Sequence, residues 1–101
     1  MAATVKVLSR TTLTNSSATL YTVPALTTTI VTNICLTNVT GSDATVDLLL
    51  DGVELFKGVT VTANTVTVVD LKQVLEAADV IAGLASAGAT IAVHVSGVEV
   101  A

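Results

Sequence analysis

The sequence predicts an all-β fold, an antiparallel β-sandwich that is jelly-roll-like, with about eight strands. Valine and threonine dominate the chain, and β-branched side chains fit a pleated sheet better than a helix. Turn signals recur about every 8–12 residues, which is the spacing found in sandwiches and jelly rolls. Long helical segments do not alternate with the strands, so a parallel α/β sheet is disfavoured. At 101 residues the chain is expected to form one domain.

The N-terminal part of the chain is expected to form a strand followed by a loop or an extended arm. Residues 4–10 alternate polar and apolar side chains as a strand does, and residues 11–18 are a polar run. We therefore expect residues 1–18 to be an N-terminal strand with a loop or arm, and residues 19–101 to be the β-sandwich body. The candidate arm residues are Lys6, Leu8, Arg10 and Leu13.

The body is expected to consist of short strands joined by turns. The predicted strands cover residues 19–23, 27–40, 44–50, 53–57, 59–63, 66–70, 80–85 and 90–100. The pair Asp51 and Gly52 lies between two apolar runs and predicts a type I′ hairpin, because both residue types tolerate positive φ. Leucine, valine and alanine side chains recur at helical spacing after residue 70, so we expect at most one short helix, from Leu71 to Ala77.

The composition predicts a protein that assembles with copies of itself. Hydrophobic residues make up 51% of the chain, yet there is one Phe, one Tyr and no Trp, so the core must be aliphatic and thin. A mean hydropathy of +0.83 with 12% charged residues indicates further apolar surface that other subunits cover. We expect a symmetric homo-oligomer, with a trimer favoured. The candidate subunit-contact residues, on strand 27–40 and the last strand, are Ile30, Thr32, Ile34, Leu36, Ile91, Val93 and Val95.

Charge and patterning argue against nucleic-acid and membrane partners. The net charge is −4 and the four cationic residues are scattered along the chain, so no basic face is expected for a nucleic acid. Residues 80–98 carry no charge, but a turn signal at 86–88 and alternation after it favour two strands over a membrane-spanning helix. The single cysteine excludes an internal disulfide and is typical of synthesis in a reducing compartment.

No catalytic or metal-binding constellation is predicted. His94 is the only histidine, and a lone imidazole in an alternating strand is typical of a sheet face or a subunit contact. Cys35 lies mid-strand between apolar residues, where a thiol behaves as a small hydrophobe. Asp47, Asp51 and Glu54 favour a solvated acidic rim over a calcium site, because two or three carboxylates at this spacing make a poor cage. We expect no enzymatic activity, no cofactor and no small-molecule substrate.

Four segments of the chain resemble a family of small tailed-phage virion proteins. These segments are residues 20–25 (Leu-Tyr-Thr-Val-Pro-Ala), 36–40 (Leu-Thr-Asn-Val-Thr) leading to 45–46 and 51–52, 74–81 (Val-Leu-Glu-Ala-Ala-Asp-Val-Ile), and 93–100 (Val-His-Val-Ser-Gly-Val-Glu-Val). The family's proteins often carry glycine after the Pro-Ala pair and before the later aspartate, whereas this chain has Leu26 and Ala78. The resemblance implies a structural role in a virion.

We expect a capsid decoration (cement) protein that oligomerises and bridges major capsid proteins to stabilise the shell. Such a protein would be made in the host cytoplasm and would reside on the surface of the virion. A tail, neck or baseplate component is the alternative within the same class. A carbohydrate-binding module for host attachment is a further alternative, although sugar sites favour an aromatic platform and only Tyr21 and Phe56 are available.

Overall fold

The computed structural model describes residues 2–88 and 90–101, and these residues form eight β-strands. The strands are β1 (Ala3–Thr12), β2 (Ala18–Thr22), β3 (Thr28–Asn38), β4 (Ala44–Leu50), β5 (Val53–Val61), β6 (Val66–Leu75), β7 (Val80–Ala85) and β8 (Ile91–Val100). None of the described residues belongs to a helix that is long and apolar enough to cross a membrane.

The strands are arranged in two four-stranded antiparallel sheets. The first sheet has the order β1-β8-β3-β6 and the second has the order β2-β7-β4-β5. Within these sheets β1 pairs with β8, β2 with β7, β3 with β6, and β4 with β5. The chain is therefore one long antiparallel hairpin folded over on itself, which is the topology of a jelly roll. The predicted fold class is confirmed.

The core between the sheets is aliphatic, as the composition predicted. Alternate side chains of the inner strands β3, β4, β7 and β8 point into it, and many are fully buried. The largest buried side chains are Leu13, Ile34, Leu36, Leu48, Ile81 and Ile91, with several valines between them. Each such burial contributes about 1.5–3 kcal/mol of transfer free energy. The two aromatic residues, Tyr21 and Phe56, are partly buried against this cluster.

The helix predicted from Leu71 to Ala77 is wrong, because β6 continues as a strand to Leu75. Its residues 73–75 pair with residues 29–31 of β3. Between Asp70 and Gln73 two residues of β6 lie opposite a single residue of β3, Thr32, so the strand contains a bulge. Leu71 and Leu75 both turn towards the core, as alternate residues of a strand do. That four-residue spacing imitates a helical repeat.

One further boundary differs from the predicted one, and the predicted hairpin is confirmed. A break was predicted at Gly58, but strand β5 runs through this residue to Val61. The chain can continue because Gly58 adopts a φ of 63°, which glycine tolerates. The Asp51–Gly52 hairpin is confirmed, with φ values of 50° and 80° at the two residues. Positive φ at both positions is the requirement of a type I′ turn, whose twist matches that of the flanking strands.

Candidate interaction surface

The outward side of the first sheet carries most of the exposed aliphatic side chains among the described residues. Eight large hydrophobic residues are exposed in the described part of the chain, and five of them are valines on this side of the first sheet. We name this surface the valine face and define it by Val5, Val7, Val66, Val68 and Val74, together with the half-buried Ile30 and Val98. Large exposed apolar patches on soluble proteins mark sites of interaction.

Strand register determines which residues of the valine face are neighbours. Val5 of β1 lies opposite Val98 of β8, and Val98 lies opposite Ile30 of β3. Ile30 in turn lies opposite Val74 of β6. These four side chains form an unbroken apolar row across all four strands, about 14 Å wide at ~4.8 Å per strand. The exposed fractions of Val5 and Val74, at the two ends of the row, are 86% and 63%.

The neighbouring rows of the same surface are more polar. Asn33 Nδ2 donates to Asp70 Oδ1 across 3.0 Å between β3 and β6. Two residues further along β3, Cys35 lies opposite His94, and Arg10 lies opposite His94 on its other side. Arg10 Nε donates to His94 Nδ1 at 3.1 Å, so this ring nitrogen is the acceptor of the bond. The apolar row is therefore bordered by polar side chains that are already partnered.

The fold brings together Cys35 and His94, which are far apart in the sequence. They are cross-strand neighbours on the solvent side of the sheet. No hydrogen bond joins the thiol to the imidazole among the described side chains, and residues 2–88 and 90–101 contain no group of three potential metal ligands. The pair therefore places a thiol beside an imidazole whose Nδ1 accepts a hydrogen bond from Arg10.

The predicted subunit-contact residues are divided between the two faces of the first sheet. Ile34, Leu36, Ile91, Val93 and Val95 have no exposed surface because they lie in the core. Of the remaining two, Thr32 is exposed at the bulge and Ile30 lies in the apolar row. The two-sided apolar character of residues 27–40 thus has a simple origin. One side of β3 faces the second sheet, and the other belongs to the valine face.

The candidate arm is a strand of the sandwich. β1 pairs with β8 from Ala3 to Thr12, and Leu8 and Leu13 are buried in the core. Val5 and Val7 face outward and Leu8 inward by alternation, and the bulge between Val7 and Ser9 buries Ser9 beside Leu8. The four arm residues are therefore held by the fold: Leu8 and Leu13 by the core, Arg10 by His94, and Lys6 by an ion pair.

That ion pair belongs to a polar cluster that ties the two sheets together. Lys6 Nζ lies 3.2 Å from Glu99 Oε1, and the Tyr21 hydroxyl of the second sheet donates to Glu99 Oε2. Because the tyrosine proton is committed to Glu99, the Thr29 hydroxyl donates to Tyr21 at 2.9 Å. The hydrogen bond from Tyr21, and then the one from Lys6, lower the pKa of Glu99. Burial and the bond to Glu99 raise the pKa of Tyr21.

The acidic residues near the first hairpin stabilise loops and strands. Asp47 accepts hydrogen bonds from the Gly58 backbone N–H at 2.8 Å and from Lys57 Nζ at 3.1 Å, and these bonds lower its pKa. Asp43 Oδ1 accepts from the Ala63 N–H at 2.9 Å. Asp51 occupies the first turn position of the hairpin. Glu54 lies opposite Leu49. The predicted rim of Asp47, Asp51 and Glu54 is thus spread along a hairpin, and Asp47 is engaged by Lys57.

Neither aromatic side chain forms an open platform. Tyr21 is partly buried and its hydroxyl is bound between the sheets. Phe56 lies opposite Leu48 and packs against the core. A sugar ring requires a flat, accessible aromatic face. The arrangement of these two residues therefore gives no support to the carbohydrate-binding alternative.

Comparison of the chain with protein-family models finds no match, and comparison with curated proteins finds none either.

Proposed function

We propose that this chain is a virion structural protein, a capsid decoration (cement) protein that sits on the particle surface as a homo-oligomer. It would bridge neighbouring major capsid proteins and stabilise the shell against disruption. Two kinds of observation support the proposal. Segments spread over residues 20–100 resemble tailed-phage virion proteins, and the chain folds as a jelly roll, an architecture that occurs in viral capsid domains.

The observation that carries the proposal is the valine face. Five exposed valines on one side of one sheet leave apolar surface in water that a partner would cover. Burying one such side chain fully contributes about 1.5–3 kcal/mol, although ordering and lost rigid-body freedom offset much of that gain. In a shell lattice many identical copies bind together, so that modest contacts add up to a stable assembly.

Mixing purified protein with particles that lack it tests the proposal. We expect hundreds of copies to bind each particle, and decorated particles to release their contents at a higher temperature than bare ones. A copy number of only a few would favour the tail, neck or baseplate alternative. Particles equally stable with and without the bound protein would contradict a cement function.

A pair of matched variants tests the role of the valine face. Val74→Asp places a charge at one end of the apolar row, whereas Val53→Asp places the same charge on an exposed valine of the second sheet. The exposed fractions of the two side chains are 63% and 70%, so both variants should fold. We expect Val74→Asp to lose most particle binding and Val53→Asp to retain it. Equal binding by both variants would show that another surface contacts the shell.

A further inference from the structure

Strand β6 forms an open edge of the first sheet. It pairs with β3 on one side, and on its other side it has no strand partner among the described residues. At ten residues it is as long as any other edge strand of the two sheets. An edge strand of this length presents unpaired N–H and C=O groups that can pair with another chain.

The sequence of β6 is complementary to itself when it is read in the opposite direction. Around Leu71 an aspartate precedes and a lysine follows, Asp70 and Lys72, and a valine lies three positions away on each side, Val68 and Val74. If a second β6 lies antiparallel with Leu71 opposite Leu71, each Asp70 faces Lys72 of the other copy. In the same register each Val68 faces Val74. Opposite charges and matched β-branched side chains at facing positions stabilise an antiparallel pair.

These groups are free to make such contacts. The two ion pairs formed within the described part of the chain are Lys6–Glu99 and Lys57–Asp47, and neither includes Lys72. Asp70 uses Oδ1 to accept from Asn33, which fixes the carboxylate at the strand edge. Beside it a hollow of about 440 Å³ is lined by Thr32, Asp70, Leu71 and Lys72. The centre of β6 therefore presents a held carboxylate, an unpaired ammonium group and open space.

We propose that two copies of this chain associate through antiparallel pairing of their β6 strands about a two-fold axis at Leu71. The product is a continuous sheet of order β1-β8-β3-β6-β6-β3-β8-β1, in which the two valine faces lie side by side. The inference specifies the self-association included in the proposed function and to that extent rests on it. A two-fold pair predicts even-numbered assemblies, in contrast to the trimer that we expected above.

The other edge strands lack this complementarity. β1 carries only cationic charged residues, Lys6 and Arg10, so an antiparallel copy would bring like charges together. β2 is five residues long and uncharged. In β5 the lysine, Lys57, is already paired with Asp47, and the strand is distorted at Gly58, whose φ is 63°. Of the four edges, β6 alone offers both unpaired opposite charges and matched apolar positions.

The bulge at residues 71–72 points to a competing role for β6, that of an edge strand protected against pairing. Bulges and lysines also serve to prevent edge strands from pairing, and β6 has both. A protective edge and a self-complementary edge respond differently when the charges are exchanged. A protective lysine works whatever faces it, whereas a self-complementary pair depends on both signs together.

A charge-exchange series on the free protein separates the two explanations. We expect the unmodified chain to sediment at twice its mass of 10.2 kDa, and Lys72→Asp to weaken the dimer by about tenfold or more, because two attractive pairs become repulsive. The double variant Asp70→Lys/Lys72→Asp restores opposite charges and should recover dimerisation. Arg10→Asp, the same charge change on the other edge of the sheet, is the control and should leave the dimer unchanged.

Crosslinking tests the register, in a Cys35→Ala background. Leu71→Cys places two thiols directly opposite each other, with Cα atoms about 4.5–5.5 Å apart, within the range of a disulfide. Val66→Cys lies on the same strand, but its two copies would be about 33 Å apart at ~3.3 Å per residue. We expect rapid disulfide formation in the first variant and only slow, collisional crosslinking in the second.

Three results would overturn the two-fold pairing: a chain that stays monomeric at high concentration, a trimer, or equal crosslinking of the two cysteine variants. Loss of dimerisation in the double-exchange variant, with its circular dichroism unchanged, would favour the protective edge. All these measurements use the free protein without particles. Their failure is therefore distinct from failure of the proposed function, which is measured by binding to the shell.

Discussion

Replacing Ala78 by glycine is expected to stabilise the fold. Ala78 lies in the turn between β6 and β7 with a φ of 73°, in the left-handed region that L side chains rarely adopt. Its side chain is exposed, so the substitution removes no buried surface. Its N–H donates to the Val23 carbonyl at 3.1 Å, and glycine retains that donor. The change therefore relieves backbone strain while it preserves the contacts of the turn.

The size of the effect follows from two opposing contributions. A left-handed conformation costs an L residue about 1–2 kcal/mol, which glycine does not incur. Glycine loses about 0.5–1 kcal/mol more backbone entropy than alanine on folding. The net stabilisation is then about 0.5–1 kcal/mol, which in a domain of this size raises Tm by roughly 2–8 °C. Leu26→Gly should act in the same direction, since Leu26 has a φ of 57° and is 93% exposed.

Urea and thermal unfolding of Ala78→Gly and its neighbour Ala77→Gly check the reasoning. Ala77 is exposed in the same turn without a positive φ, so glycine there brings only the entropic cost. We expect Ala78→Gly to be more stable than the unmodified chain and Ala77→Gly to be less stable, by about 0.5–1 kcal/mol each. Equal stability of Ala78→Gly and Ala77→Gly would show that the turn stores no backbone strain at Ala78.

Three further substitutions have defined outcomes. Gly97→Ala should destabilise by about 1–3 kcal/mol in urea unfolding, because a Cβ there would overlap the Ile30 carbonyl of the adjacent strand. Asn38→Ala should cost about 2–4 kcal/mol, because the buried amide donates to a buried β5 carbonyl and to a loop carbonyl. Glu99 has a lowered pKa, so its contribution to stability is present above its unfolded pKa and is lost as pH falls through its folded value. Tyr21→Phe removes a hydrogen bond to Glu99, so the free energy of unfolding of this variant should fall less steeply as the pH is lowered. An unchanged dependence at acidic pH would show that this bond does not lower the pKa of Glu99.

Local patterns in the sequence were sufficient to predict the class of fold. Period-two alternation identified most strands, and the Asp51–Gly52 pair identified a hairpin whose two positive φ values the structure confirms. Leu26 and Ala78 also lie in turns with positive φ, where no glycine in the sequence signalled that geometry.

A bulge accounts for the mixed faces of the predicted subunit-contact residues on β3. Ile30 and Ile34 are four residues apart, yet Ile30 faces outward and Ile34 lies in the core, because the register shifts between Val31 and Asn33. A bulge is defined by the partner strand, since it exists only where two residues face one. A single strand read alone cannot show its position. For this reason alternation identified the strands but placed Ile30 and Ile34 on the same face of β3.

The candidate interaction surface depends even more strongly on topology. Its apolar row joins Val5, Val98, Ile30 and Val74, which come from four strands distant in sequence. Only the pairing of β1 with β8 and of β3 with both β8 and β6 makes them neighbours. Hydropathy revealed an excess of apolar residues, yet their gathering on one side of one sheet follows from the register of three strand pairs.

The same topology links stability to assembly. The core contains no tryptophan, and the two aromatic residues are only partly buried against it. It therefore relies on many buried aliphatic side chains, each of which contributes about 1.5–3 kcal/mol. Five further valines remain exposed on the outer side of the first sheet. A partner that covers those valines binds only the folded chain, because the apolar row is assembled by strand pairing and is absent from an unfolded one. Binding that is specific to the folded state stabilises it by mass action. A partner of the valine face would therefore add stability that the thin core of the single chain does not supply.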